Sequence, residues 1–372
     1  REELLFFGIF LLWTYLAGFR PQAYGTEKFM DYGFMEAMMR SKTLPARDLW
    51  YSQGTINYYY GGQYFAVFLT KLTGSRVEVT YNLMRTFVAA FAFVYPFSLV
   101  RQMTKDRLYG RLDGKKKYLP SLAGVTAGIA VSIAGNVHYI VYRCVLPLIR
   151  KIQGVAETAS YWFPDATRYI GYNPVNDSDK TIHEFPCYSF VLGDLHAHVI
   201  NVFLVLTVLG ILYSWIKTNS GKSWRQREIG LLGLLLGMFL FSNTWDFMIY
   251  YVVICGTLLF GNLKRYSSGS CISQALKWSV IQWIELLAAA FLASLPFHLT
   301  FENVMVQGIG IVKIHTAFYQ FCVLWAFPLL VCVPFVIGIL RRIGTFPEKK
   351  FRSFFSNIKY SDLYGLVLVL CA

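Results

Sequence analysis

The chain has 372 residues, 55% of them hydrophobic, 17% aromatic and only 15% charged, with a mean hydropathy of +0.43. These values exclude a disordered or collagen-like polymer, a secreted disulfide scaffold and an ordinary water-soluble globule, and they read as a membrane protein. The 35 basic against 21 acidic residues give a formal charge of +14, but the excess sits in short loops between apolar runs and forms no basic stripe elsewhere, so nucleic acid is set aside as a partner.

In chain order, Leu4 to Phe19 is the first apolar run; it has no small-residue cleavage site and reads as a permanent helix. Continuous runs at 77–104, 190–216, 277–297 and 316–340 are each long enough to cross a hydrocarbon core of roughly 30 Å. Their continuity argues against a β-barrel, whose strands alternate apolar and polar residues. Four basic loops mark the cytoplasmic face. They hold Arg101 to Lys117, Lys217 to Arg227, Lys264 to Lys277, and Arg341 to Lys359. Each helix pair between two such loops must go out and come back. The turn Ser242-Asn243-Thr244-Trp245-Asp246 between the runs 229–242 and 247–263 is therefore external, as are 20–76, 136–190 and 297–315. In the first external loop, 30–41 and 64–74 read as short helices lying in the interface, the former with Met30, Phe34 and Met38 on its apolar face and Asp31, Glu36 and Arg40 on others.

The expected fold is an all-α polytopic membrane protein, one transmembrane domain over 1–372, with about eight complete transmembrane helices. A further apolar run from near Tyr360 is cut at Ala372, and the chain reads as the N-terminal part of a longer protein. The seven cysteines form no C-x-x-C pair. Only Cys144 and Cys187 fall in an external segment, where one disulfide is open to them.

Nearly all the costly polar residues fall on the external side. The first loop carries Glu27, Lys28, Asp31 and Asn57-Tyr58-Tyr59-Tyr60; the second carries Trp162, Arg168, Glu184 and Asp194-Leu195-His196-Ala197-His198; the turn at 242–246 adds Asn243, Trp245 and Asp246. Each has a plain alternative. Tyrosines and tryptophans also form interfacial belts, Asp246 suits a helix cap, and Arg168 a snorkelling position. In a helix Asp194 and His198 share a face, whereas in an extended stretch His196 and His198 do. Metal ligation, a phosphate grip and a catalytic base are all open for that cluster. Arg168 beside aromatics fits a sugar or phosphate site. Glu285 is the one carboxylate well inside an apolar run, with function and helix pairing both open to it.

Several motifs resemble a known family. Gly25-Thr26-Glu27-Lys28-Phe29-Met30-Asp31, Ile56-Asn57-Tyr58-Tyr59-Tyr60, Thr167-Arg168, Glu184-Phe185-Pro186, Ser189-Phe190, Gly193-Asp194-Leu195-His196-Ala197-His198 and Asn243-Thr244-Trp245-Asp246-Phe247 look like the uncharacterised prokaryotic YYY membrane-protein family. The likeness covers essentially the whole chain, though Gly61-Gly62 stands where that family usually has an aromatic. The topology is similar to the GT-C membrane glycosyltransferases, whose first external loop holds two interfacial helices and a catalytic carboxylate.

That similarity implies an inverting transferase in the plasma membrane, with its active site outside. It would take a sugar from a polyprenyl-phosphate donor in the lipid bilayer to an acceptor that the sequence does not identify. Asp31 would be the catalytic base, with Glu27 one turn earlier. Lys28 and Arg168 would face the phosphate, and Asn57, Tyr58, Tyr59, Tyr60, Trp162, Glu184, Asn243, Trp245 and Asp246 would line the substrate. Asp194, His196 and His198 are expected to matter without a tightly bound metal, although a divalent cation is compatible with them. The rival classes are a transporter or channel with an external polar vestibule, disfavoured by the lack of a polar track through the bundle, and a non-catalytic assembly subunit.

Overall fold

The structure, a computed structural model, describes residues 2–25, 27–110, 114–155, 161–218, 226–266, 272–302 and 314–344. Among them every regular element is a helix: α1 (Glu2–Gly18), α2 (Lys28–Arg40), α3 (Gly61–Thr73), α4 (Val77–Arg107), α5 (Leu119–Ser132), α6 (Leu146–Ile152), α7 (Pro186–Leu192), α8 (Ala197–Thr218), α9 (Gln226–Ser242), α10 (Thr244–Tyr266), α11 (Ile272–His298) and α12 (Phe318–Gly344). The only β pairing among these residues is two isolated bridges, Arg47 with Thr55 and Tyr172 with Val175. The chain divides into two compact units, residues 1–132 with 190–304, and residues 133–189 with 305–372.

Five of the helices, α4, α8, α10, α11 and α12, are long and apolar enough to cross a membrane. The runs at 4–19 and 229–242 also form helices, α1 and α9, but of 17 residues each, and α5, between the basic loop at 101–117 and the segment 136–190, has 14. At 1.5 Å per residue the first two reach only about 25 Å. The apolar run from Tyr360 lies outside the described residues.

One expectation is corrected. The run 190–216 is not one helix: α7 ends at Leu192, and residues 194–196 are non-helical before α8 starts at Ala197. Gly193 makes the break, with φ at +78°, a left-handed conformation that costs glycine least. The sequence held the signal for this, a glycine followed by Asp194 and His196 inside the run.

In the first unit α4 packs against α1, α5 and α8, and α11 against α9 and α10. Lipid tails are as apolar as leucine side chains, so helices in a bilayer associate through close backbone approach at small residues. Gly124 and Gly128 supply it on α5: a Cβ there would lie 2.7 Å from the Phe97 carbonyl oxygen and 2.9 Å from that of Phe93 on α4. Between these long helices sit α2 and α3, 13 residues each, packed on one another and on α4. They are the two short helices anticipated in the first loop. The face α2 buries differs from the expected one, for Lys28, Asp31, Phe34, Met35 and Met38 all turn inward. Their spacing of three and four residues is one helical stripe, and it carries Asp31 into the core.

In the second unit a π-helical turn, Ile140–Val145, leads into α6. Val137 N–H donates to the Val323 carbonyl (3.0 Å), and the Gln320 side chain to that of Asn173 (2.9 Å). Cys144 and Cys187, the two candidates for a disulfide, are both free thiols.

Candidate functional site

The first unit concentrates its chemistry where the start of α2 meets the break before α8. Asp31 is 0% exposed. Its Oδ1 accepts a hydrogen bond from Gln63 Nε2 on α3 (2.9 Å), and the same amide donates to the Leu195 carbonyl (3.1 Å). Gln63 thus ties together the two short helices and the break. Asp194 is also buried. Asp31, Asp194 and His196 each offer one ligand atom within 4.8 Å of the others. Glu27 reaches His196 Nε2 from the mouth of the site, its side chain 62% exposed against 12% for the imidazole.

Burial dominates the electrostatics. It pushes the Asp31 carboxyl up to about 7, further raised by the charges of Asp194 and Glu27 and opposed by His196 and the Gln63 hydrogen bond. For His196 burial works against the imidazolium, but the carboxylates of Asp31, Glu27 and Asp194 outweigh it, so the net shift is upward. Lys28 is held below the usual lysine range by burial first and the nearby Arg85 charge second. Three buried polar atoms in these residues have no hydrogen-bond partner: Asp31 Oδ2, Gln63 Oε1 and His196 Nδ1. Each is costly to leave unpaired, so together they point to a polar ligand.

The tyrosine run borders this cluster. Tyr58 packs on Phe34 and its hydroxyl is pushed up to about 12, by burial and then by the charges of Asp31 and Glu27. Tyr59 stacks on Phe301 at 5.6 Å, and Tyr60 meets Phe297 edge-on at 5.7 Å. Asn57 forms a two-way clamp with the Glu302 backbone, both bonds 2.9 Å. His198 is exposed and stacks its ring on His196, with centroids 5.8 Å apart. Because the helix begins only at Ala197, Asp194 and His198 do not share a helical face.

The polar turn at 242–246 builds a brace. Asp246 Oδ2 accepts from Asn201 (2.9 Å) and from Asn243 (3.0 Å), while Ser242 Oγ donates to Asn201 Oδ1 (2.7 Å). These bonds link α8, α9 and α10. Trp245 is exposed.

Trp162, Arg168 and Glu184 belong to the second unit. Arg168 donates to the hydroxyls of Thr167 (3.2 Å) and Tyr188 (3.1 Å), and Trp162 is exposed. That unit also holds a cluster the sequence reading passed over. His138 stacks on Tyr142 at 4.3 Å, and its Nδ1 lies 3.1 Å from the Tyr161 hydroxyl. Burial, then the His183 charge, bring its ring down to about 4, which keeps it neutral.

The sequence reading also missed Arg85, a charged residue 5% exposed in the third turn of α4. Its signal was available, since an ionisable residue within the run 77–104 is expensive to bury.

No curated protein and no solved structure matches the chain. A family model matches residues 1–372, and the chain therefore belongs to the family described as uncharacterized membrane protein (DUF2298).

Proposed function

We propose that the chain is an inverting membrane glycosyltransferase, taking a sugar from a polyprenyl-phosphate-linked donor to an acceptor hydroxyl at the external face of the plasma membrane. The observation that carries this reading is the buried Asp31 carboxyl, raised to about 7, with one unpartnered oxygen and a lysine and a second carboxylate close by. A base poised near the working pH is what proton abstraction from a hydroxyl needs. The acceptor oxygen attacks the anomeric carbon as Asp31 Oδ2 takes its proton. The bond from that carbon to the donor phosphate breaks, and Lys28 offsets the charge left on the departing lipid phosphate. Tyr58, Tyr59 and Tyr60 supply faces on which a sugar ring stacks. The resemblance in topology to the GT-C enzymes supports the same assignment, with two short helices in the first loop and the carboxylate in the first turn of the first.

A second reading of the same residues is favoured by the 4.8 Å grouping of Asp31, Asp194 and His196. Two carboxylates and an imidazole suit a divalent ion such as Mn²⁺ or Zn²⁺. His196 Nδ1 is unpartnered while Nε2 faces Glu27, the arrangement in which a carboxylate orients a metal-bound histidine. Asp31 would then be a ligand, and the exposed Glu27 would take the proton. Elemental analysis of purified protein decides between the two. In the second reading a stoichiometric divalent ion is expected, lost in His196→Ala and kept in His198→Ala. Full transfer after exhaustive chelation would leave the metal-free reading standing alone.

Orientation has its own test. With the native cysteines removed, Ser52→Cys, Asp177→Cys and Thr300→Cys should react with an impermeant thiol reagent added outside whole cells, and Tyr109→Cys and Arg341→Cys should not. Labelling at Tyr109→Cys from outside would invert the topology and rule out an external site.

A further inference from the structure

A cleft of about 230 Å³ lies in the first unit, its walls formed by Trp13, Leu16, Phe19, Ala89, Phe190 and Val191, with Arg20 and Arg85 among its lining. Leu16, Phe19 and Val191 are also exposed on the outer surface, so in a bilayer the cleft opens to hydrocarbon. Arg85 is the unusual member. It donates to the carbonyls of Ala17 (3.0 Å) and Arg20 (3.1 Å) at the end of α1, and neither bond brings it a full negative charge. Its Nε is buried with no hydrogen-bond partner. A buried guanidinium so placed is expensive unless an anion meets it. The cluster described above is adjacent, because Arg85 packs against Gly193 and its charge acts on Lys28 together with that of Arg20.

We propose that this cleft seats a lipid phosphate, the phosphate on Arg85 and Arg20 and the hydrocarbon chain along Trp13, Leu16 and Phe190. The proposal rests on the lipid-phosphate donor of the preceding section and assigns the place where its leaving group is held. A planar guanidinium with a second cation beside it matches a phosphate dianion. The apolar walls, open to lipid, take a chain that free phosphate lacks. Only a ligand carrying both parts satisfies both halves of the cleft.

The test uses the whole protein in phosphatidylcholine nanodiscs, with farnesyl phosphate, farnesol and inorganic phosphate as probes and native mass spectrometry as readout. Farnesyl phosphate should bind at least tenfold tighter than either part alone. Arg85→Gln and Leu16→Trp should each weaken it at least tenfold, and Leu122→Trp, at an exposed position of α5 outside the lining, should leave it unchanged. Arg85→Gln also removes two bonds from α4 to the end of α1, so Leu16→Trp, which fills the mouth of the cleft and spares those bonds, keeps the result independent of folding. Unchanged affinity in Leu16→Trp would overturn the assignment. So would inorganic phosphate binding as tightly as farnesyl phosphate, or phosphatidylglycerol doing so, which would make the cleft an ordinary lipid site. Binding with the expected dependences but no sugar transfer by the unaltered protein would uphold the cleft and sink the transferase reading.

Discussion

Asp31→Asn should lower sugar transfer by about 10²- to 10⁴-fold, the range typical of a lost general base, while affinity for the lipid donor stays within a few-fold. Asparagine keeps the size of the side chain and an oxygen for Gln63 Nε2, whose bond to Oδ1 measures 2.9 Å, so the fold should tolerate it. It removes the negative charge and the basicity together. The pH profile gives a second handle on the same group. Burial raises the Asp31 carboxyl to about 7, and the base must be ionised to accept a proton, so activity should climb about tenfold per unit as pH rises towards 7 and level off above it. Asp31→Asn should abolish that limb. Transfer at the unaltered rate in Asp31→Asn would remove Asp31 from the chemistry and pass the role to Glu27, the exposed carboxylate at the mouth.

The sequence made the helical, membrane-type character legible because long apolar runs have few other meanings, and among the described residues the structure makes those runs helical apart from the break at 193–196. It also marked both halves of the candidate site, Glu27 to Asp31 and Asp194 to His198. It could not bring them together. Their meeting depends on Gln63, which stands just before the stretch 64–74 that reads as an interfacial helix, bonding across to Leu195, and on the stripe that turns Asp31 inward. It depends equally on the break at Gly193, whose left-handed φ of +78° is a property of the fold and not of the pattern. Asn243 and Asp246 illustrate the converse difficulty. An amide and a carboxylate at a turn have the same appearance in sequence whether or not they brace helices, and it is partners such as Asn201 that reveal the brace. Arg85 was concealed by its setting in the longest of the described helices, whose last turn carries Lys105 and Arg107.

Gly193 concentrates both demands, and its replacement is the sharper test of how the site is built. An alanine Cβ there would lie 1.8 Å from Arg85 Nη1, at a backbone φ of +78°. The left-handed conformation alone costs about 1–2 kcal/mol for a residue with a side chain. A guanidinium terminus can usually step aside from such a clash. Arg85 is constrained, because it is buried and bonded to the carbonyls of Ala17 and Arg20, so moving it breaks those bonds, and overpacking of this kind costs about 1–3 kcal/mol more. Gly74 provides the control. It has φ of +63° with nothing within 4 Å of a built Cβ, so Gly74→Ala carries the conformational cost without the collision. Thermal unfolding in one detergent should place Gly193→Ala clearly below Gly74→Ala, and Gly193→Ala alone should lose farnesyl phosphate binding along with stability. Equal melting temperatures for the two variants would mean that Arg85 is free to move, and its place as a fixed anion holder beside Asp31 would then be lost.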